Sequence, residues 1–207
     1  MPFTKNTEEK IMIILASSSP RRKEILSSLG VDFTVLTADT DESSDTKDPC
    51  LLTEELATKK GRAVYDMLQK GYKNIDPKNA IIISADTVVY ANGEILGKPC
   101  DTEDAERMLR SLSGGSHTVV SGVAVTVNGI TKSASCTTKV NVDSVPDAEL
   151  IRYANSNEPL DKAGGYAIQG GFSPWISSIE GCYFNVVGLP INCLNKLFYE
   201  CTGKYLV

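Results

Sequence analysis

An apolar run that passes directly into a helix start places the strongest constraint on the fold of this chain. Residues 11–16 (IMIILA) are β-branched and short enough for a buried strand, and Ser17–Arg22 (SSSPRR) follow without a linker. Serine is a common helix N-cap, and Pro20 suits the first helical turn. The junction therefore predicts a strand, a tight turn and a helix, which is the opening of an α/β unit.

The same junction suits an anion. Backbone N–H groups in the first turn of a helix have no partner within the helix, and Arg21 and Arg22 add two positive charges at that place. A phosphate group would be held well there. Taken alone, the segment fits an ordinary capped helix with two solvated arginines equally well, because helix N-termini commonly attract anions. Other segments of the chain must distinguish a phosphate site from an ordinary capped helix.

Composition limits the classes of protein that the chain can belong to. Its 207 residues are 42% hydrophobic and 23% charged, which is typical of a folded globular protein. The apolar runs are far shorter than the roughly 20 residues that span a bilayer, and the start of the chain has no signal-peptide pattern. The net charge of −5 disfavours stable nucleic-acid binding. We expect a cytoplasmic protein with a flexible N-terminal extension (1–10) and a single domain (11–207).

The metal-binding residue types indicate no zinc site. Six cysteines stand at wide, irregular spacings without a C-x-x-C pair, and His117 is the single histidine. Such cysteines suit small core residues or surface thiols in a reducing compartment.

The hydrophobic pattern alternates between helical and extended periods. It predicts helices over 22–29, 51–70, 102–112, 146–155 and 189–199, and strands over 11–16, 33–36, 80–84 with 88–90, 118–127 and 130–142. Residues 38–49 (ADTDESSDTKDP) are polar and predict a loop. This alternation favours a mixed central sheet in an α/β fold.

Two polar residues interrupt segments that folding alone would leave apolar or variable. Asp86 stands between two apolar runs of one strand, where a carboxylate is costly unless it is paired or metal-bound. A cap or turn at a strand end, with Thr87 as partner, would also satisfy it. Lys98, fixed between Gly97 and Pro99, suits phosphate contact but also occurs in ordinary loops. Glu42 and Lys60 carry no signal of their own.

A glycine-rich segment near the C-terminus predicts a recognition loop. In residues 158–171, two glycine pairs flank Tyr166 and Gln169, and Asp161 and Lys162 precede them. Glycine permits a close backbone approach, and an amide can both donate to and accept from the edge of a base. A flexible glycine turn is the alternative.

Together these segments resemble the Maf family of nucleoside triphosphate pyrophosphatases. The resemblance rests on six motifs in order: SSSPRR (17–22), ADT (85–87), GKP (97–99), LSG (112–114), DKAGGYAIQG (161–170) and NVVGLP (185–190). It implies an α/β fold of the inosine triphosphatase type, with a twisted mixed sheet and a cleft between two lobes. It also implies a divalent cation, Mg²⁺ or Mn²⁺, and a homodimer.

The resemblance implies cleavage between the α and β phosphates, which gives a nucleoside monophosphate and pyrophosphate. Asp86 matches the family's proposed proton acceptor, and Glu42 and Asp86 would hold the metal. The implied substrate-binding residues are Ser17, Arg21, Arg22, Lys60, Thr87, Lys98, Asp161, Lys162 and Gln169. Gly61 departs from the family, which more often has alanine there, and a glycine weakens a helix by about 1 kcal/mol.

Arg21, Thr87 and Gln169 match the branch of the family that is associated with dTTP and UTP. Gln169 can pair with both the imide N–H and a carbonyl of uracil or thymine, which a glutamate could not do. We expect a dTTP/UTP pyrophosphatase, open to modified pyrimidines, that keeps unwanted nucleotides out of nucleic acids. The alternatives are a catalytically weak nucleotide-binding regulator of cell division and a pyrophosphatase of the 7-methyl-GTP type.

Overall fold

A computed structural model describes residues 11–156 and 158–207; the predicted N-terminal extension, residues 1–10, lies outside the described residues. The strands of this part are β1 (Met12–Leu15), β2 (Phe33–Val35), β3 (Ala80–Ala91), β4 (Glu94–Leu96), β5 (Ser116–Val127), β6 (Ile130–Val142) and β7 (Ile176–Glu180). The helices are α1 (Pro20–Ser28), α2 (Pro49–Gln69), α3 (Thr102–Leu112), α4 (Asp147–Ala154), α5 (Tyr183–Val187) and α6 (Ile191–Thr202).

The seven strands form one mixed sheet. Their order is β2-β1-β3-β5-β6-β7, with β4 paired to β3 off this path. β1 lies parallel to β2 and β3, and the remaining pairs are antiparallel. The short Asn-Gly turn after Val127 explains the long β5–β6 hairpin, because Asn128 and Gly129 both adopt positive φ angles. The predicted α/β class with a mixed central sheet is confirmed.

β3 is a single twelve-residue strand that changes its neighbour along its length. β1 pairs with its first part, ending at the Leu15–Ile83 pair, and β4 joins the same edge only from Val89 onward. On the other side β5 accompanies β3 from Ile81 to Tyr90. Asp86 therefore lies in the middle of a strand, and the alternative of a cap at a strand end is wrong.

Helices cover both faces of the sheet because its core strands alternate their apolar side chains. Leu15 faces the cluster that α1 and α6 complete, whereas its neighbour Ile14 packs beneath α2. A separate cluster joins α3 and α4 to Tyr166 and Phe172. The apolar interior of the described ranges thus consists of three clusters, and each contributes a residue to the lining of one cavity: Tyr166, Val187 and Val64.

Two glycines bring α2 unusually close to the sheet. A Cβ at Gly122 of β5 would lie 2.3 Å from the backbone carbon of Thr53, and one at Gly61 of α2 would lie 2.8 Å from Ser84 Oγ. α2 nevertheless runs unbroken from Pro49 to Gln69. Gly61 thus serves close packing, and the expected weakening of the helix stays a prediction.

Candidate active site

A cavity of about 410 Å³ opens over the middle of β3. It collects every residue that the sequence singled out for a site, although these residues come from distant parts of the chain. The eleven are Ser17, Arg21, Arg22, Glu42, Lys60, Asp86, Thr87, Lys98, Asp161, Lys162 and Gln169.

The end of β1 and the start of α1 form one wall of this cavity. Ser19 is the N-cap of α1, and its side chain accepts from Arg22 N at 3.5 Å. Ser17 Oγ accepts from Ser19 N at 3.3 Å, so the turn between strand and helix is held by its own serines. The predicted strand, turn and helix start are confirmed, and the N-terminal N–H groups of α1 border the cavity.

Arg22 is fixed by three hydrogen bonds. It donates from Nε to Gly188 O at 2.8 Å, from Nη1 to Ser17 Oγ at 3.1 Å and from Nη2 to Thr87 Oγ1 at 3.1 Å. Burial lowers the pKa of Arg22, and the nearby charge of Asp86 acts in the opposite direction. An arginine in folded protein keeps its proton, so this side chain is an immobile positive charge in the wall.

Lys60 joins two carboxylates at the centre of the cavity. Its ammonium lies 2.5 Å from Asp86 Oδ1 and 3.2 Å from Glu42 Oε1. The Asp86 side chain is 12% exposed and that of Lys60 18%, whereas Glu42 extends from its loop with 58% exposure. The pairing of Asp86 explains how β3 carries a carboxylate in its buried middle.

A second group of charges lies at the rim. Arg21 Nη1 is 3.5 Å from Asp161 Oδ2. Asp161 also contacts Lys162, and Lys162 Nζ donates to Glu158 O at 3.0 Å. Lys98 is exposed, with no hydrogen bond or ion pair to any residue that the structure describes. Arg21 and Lys98 thus present their charges to the opening.

The glycine-rich segment forms the opposite wall and is anchored mainly through its backbone. Tyr153 Oη accepts from Ala167 N at 3.2 Å, and Glu158 Oε2 accepts from Gly171 N at 3.0 Å. Tyr166 Oη lies 2.6 Å from Nε2 of buried His117. Gln169 itself is exposed and makes no hydrogen bond within the described ranges. Its amide is therefore available to a ligand.

The sequence did not single out the residues that fix Arg22 and Thr87 by hydrogen bonds, namely Gly188, Ser121 and Asn185. Ser121 Oγ donates to Asn185 O at 2.9 Å and lies 2.9 Å from Thr87 Oγ1. Because Ser121 has only one hydroxyl hydrogen, Thr87 is the donor between them. Asn185 is fully buried, and its Nδ2 donates to Val119 O and Thr138 Oγ1. The NVVGLP motif was the available signal for Asn185 and Gly188.

The donor set of the cavity contains no ready-made cage for a metal ion. Among residues 11–156 and 158–207, no group of three or more His, Cys, Asp or Glu side chains is arranged to hold one. Asp86 and Glu42 are the carboxylates that flank Lys60. Two carboxylates are what Mg²⁺ commonly takes from a protein, with water and substrate phosphates completing the shell. The residues present fit such an ion.

Fold and cavity together define an α/β protein with a cleft suited to a phosphorylated ligand. The chain belongs to the Maf family: the family model described as Maf-like protein matches residues 12–201. The membership that the motifs predicted is confirmed.

Curated relatives resemble the chain over most of its length. The dTTP/UTP pyrophosphatase of Pelotomaculum thermopropionicum is 45% identical over 86% of this chain and 91% of its own. That of Alkaliphilus metalliredigens is 42% identical over 91% of this chain and 95% of its own. Among solved structures, the Staphylococcus aureus Ham1 protein aligns with 80% of each chain at 18% identity and a TM-score of 0.46. No helix in the described ranges has the length and apolarity to cross a membrane.

Proposed function

We propose that this protein hydrolyses dTTP and UTP to the monophosphate and pyrophosphate. Its curated relatives carry that activity in their names, at 42–45% identity for the first three. They also bear out the predicted enzyme class, a nucleoside triphosphate pyrophosphatase. The observation that carries the proposal is the buried Asp86 on β3, facing a cavity whose walls bear Arg21, Arg22 and Lys98.

The cationic residues explain how an acidic chain would bind a polyanion. The formal net charge is −5, yet the cavity collects two arginines and three lysines at its walls and rim. Arg22 is preoriented, and a fixed guanidinium stabilises developing phosphate charge without rearranging. Ser17 and the N-terminus of α1 would hold one phosphate. Arg21, Lys98 and Lys162 would screen the others.

Asp86 is the group that we assign to proton transfer. Its carboxylate faces the cavity from a strand paired on its far side with β5, so its position is fixed by the sheet. A carboxylate in this place can accept the proton of an attacking water. Asp86 and Glu42 would also hold Mg²⁺ or Mn²⁺, which when bound neutralises phosphate oxygens and lowers the pKa of water.

Selectivity for uracil and thymine would come from the wall opposite Arg22. Gln169 offers both an N–H donor and a carbonyl acceptor, which complement the imide edge of these bases. Thr87 already donates to Ser121, so its role is to keep Arg22 in place as well as to border the substrate. Asp161 and Lys162 would position Arg21 at the rim.

We also propose a cytoplasmic location and a homodimer. All six cysteines are free, which suits a reducing compartment. Light scattering on the purified chain at micromolar concentration checks the dimer, because a mass near 22 kDa instead of twice that value would contradict it.

The activity test is pyrophosphate release from UTP, dTTP, CTP, GTP and 7-methyl-GTP, each with Mg²⁺, Mn²⁺ or a chelator. We expect release from UTP and dTTP that depends on the metal. Equal rates with UTP and GTP would contradict the role of Gln169. Nucleotide binding without any release would contradict the enzyme and favour a regulator.

A further inference from the structure

Lys60 lies where a cation is needed between two acidic side chains. Its ammonium is 2.5 Å from Asp86 and 3.2 Å from Glu42, closer to both than solvent-separated ions would be. Asp86 is 8% exposed as a residue, and burying a carboxylate is costly without a partner of opposite charge. Lys60 supplies that partner and at the same time draws Glu42 over the cavity.

The backbone behind Lys60 is packed closely against the sheet, whereas its side chain has rotatable bonds. α2 is held against the sheet at Gly61 and at Thr53, where glycines leave no space for a Cβ. Lysine has a flexible four-carbon stem, and its ammonium holds carboxylates as a compact charge without bidentate geometry. The ammonium can therefore move within the cavity while α2 stays in place.

Resting on the proposed metal site, we infer that Lys60 is an exchangeable internal cation. It occupies the position between Asp86 and Glu42 until a divalent cation takes that position, and the ammonium then turns to the oxygens of the triphosphate. Lys60 and the metal exclude each other because like charges repel strongly at such distances in a partly desolvated site. The same lysine thus neutralises the empty acidic pair and later contacts the substrate.

This exchange couples two binding events. A cation that enters must displace Lys60, so the metal alone binds weakly. A triphosphate supplies a new partner for the released ammonium, so metal and nucleotide strengthen each other's binding. Coupling between two ligands is reciprocal, and each must raise the affinity of the other by the same factor.

The test measures Mn²⁺ affinity without nucleotide, from the EPR signal of free Mn²⁺. Lys60→Met should bind Mn²⁺ about tenfold more tightly than the wild type, because removing a like charge at contact distance changes ion affinity by that order. Lys98→Met is the matched control: it removes the same charge from the same cavity, but Lys98 has no described carboxylate partner. We expect less than threefold tightening there, on the order of a long-range Coulomb effect.

The gain should disappear in the double variant Lys60→Met/Glu42→Gln, which places the Mn²⁺ at this pair. In the presence of a UTP analogue with a methylene bridge between the α and β phosphates, wild-type Mn²⁺ affinity should rise by a larger factor than that of Lys60→Met. Equal Mn²⁺ affinity in the wild type and Lys60→Met, or equal tightening in Lys98→Met, would overturn the exchange.

A second measurement uses the unmodified chain and does not depend on a variant that folds. Brief treatment with acetic anhydride followed by mass spectrometry reports how accessible each lysine is. Labelling of Lys60 should increase when Mn²⁺ is added, while that of Lys23 on the exposed side of α1 should not change. A decrease at Lys60 would overturn the proposal. Failure of the metal site itself has a different signature, namely wild-type pyrophosphate release that a chelator leaves intact.

Discussion

The two walls of the cavity are built in different ways. The phosphate wall, consisting of Ser17–Arg22, Lys60 and Asp86, stands on β1, β3, α1 and α2, and its side chains bind one another. The base wall, residues 158–171, is a loop that includes two short 3₁₀ turns, Pro159–Asp161 and Ala163–Gly165. It is fastened at backbone N–H groups, and Gln169 has no hydrogen-bond partner among the residues that the structure describes.

The difference matches the role that we propose for each wall. Charge stabilisation depends on groups that are oriented before the substrate arrives, and regular elements hold such groups best. Recognition of a base needs free donors and acceptors, and loops supply these while remaining variable. The phosphate wall is therefore expected to carry rate and stability, and the base wall selectivity.

Asp86→Asn should produce the largest effect on rate. We expect turnover to fall by about 10²–10⁴ with nucleotide affinity within several-fold, because the amide cannot accept the proton. Steady-state pyrophosphate release and equilibrium binding of the methylene-bridged analogue separate the two quantities. The exposed Asp66→Asn on α2 is the control and should keep wild-type turnover. Wild-type turnover in Asp86→Asn would contradict the assignment of proton transfer to Asp86.

Gly122→Ala should lower the free energy of unfolding by about 3 kcal/mol, the cost of forcing an extra carbon into a packed contact. The added Cβ would lie 2.3 Å from the Thr53 backbone, so α2 would have to move away from β5. Urea unfolding at neutral pH measures the loss. Gly115→Ala is the control, because its Cβ would meet nothing closer than 3.8 Å. Equal stability of both variants would show that α2 is not fixed as described.

His117 makes the base wall sensitive to acid. Burial lowers the pKa of His117 from 6.5 to about 4. Between these values the unfolded chain binds a proton that the folded chain does not, so stability falls as the pH falls. The loss reaches about 2 kcal/mol at pH 5. Urea unfolding at pH 7 and pH 5 should show this component in the wild type and its absence in His117→Gln. The same pH dependence in both proteins would contradict it.

Gln169→Glu should have the smallest effect of the four on energy but the clearest one on selectivity. We expect kcat/KM for UTP to fall about tenfold, because one hydrogen bond at an exposed position is lost and a repulsive carboxylate is added. The urea midpoint should stay unchanged, since Gln169 has no described partner. If Gln169→Glu lowered the urea midpoint and left kcat/KM for UTP unchanged, Gln169 would have a structural role and no role in recognising the base.

The sequence predicted the long elements because their periodicity is strong. The β5–β6 hairpin, α2 and α3 lie within two residues of the predicted bounds. β7 was not predicted because Ile176–Glu180 is short and half polar, which is typical of a strand at the edge of a sheet. α5 escaped because five residues carry no measurable helical period.

The residues that line the cavity could be predicted from the sequence, but their arrangement could not. Nine of the eleven residues lie in the motifs, Glu42 and Lys60 were named only through the family resemblance, and all eleven line one cavity. The bond from Arg22 to Gly188 spans 166 residues, and that from Thr87 to Ser121 spans 34. No local pattern encodes such contacts. Lys60 reaches both carboxylates because α2 lies close to the sheet. This close approach is possible because Gly61 and Gly122 have no Cβ atom.

The change of neighbour along β3 has a consequence for how such a protein diversifies. The cleft opens where β1 has ended and β4 has not begun, so connections such as residues 37–42 and 161–169 form part of its border. Insertions or exchanges in these connections alter the shape of the cleft without breaking a ladder. Substitutions in these connections can therefore change which ligand is bound at little cost in stability. Asp86, in contrast, lies in the middle of β3, where a substitution would disturb a buried strand.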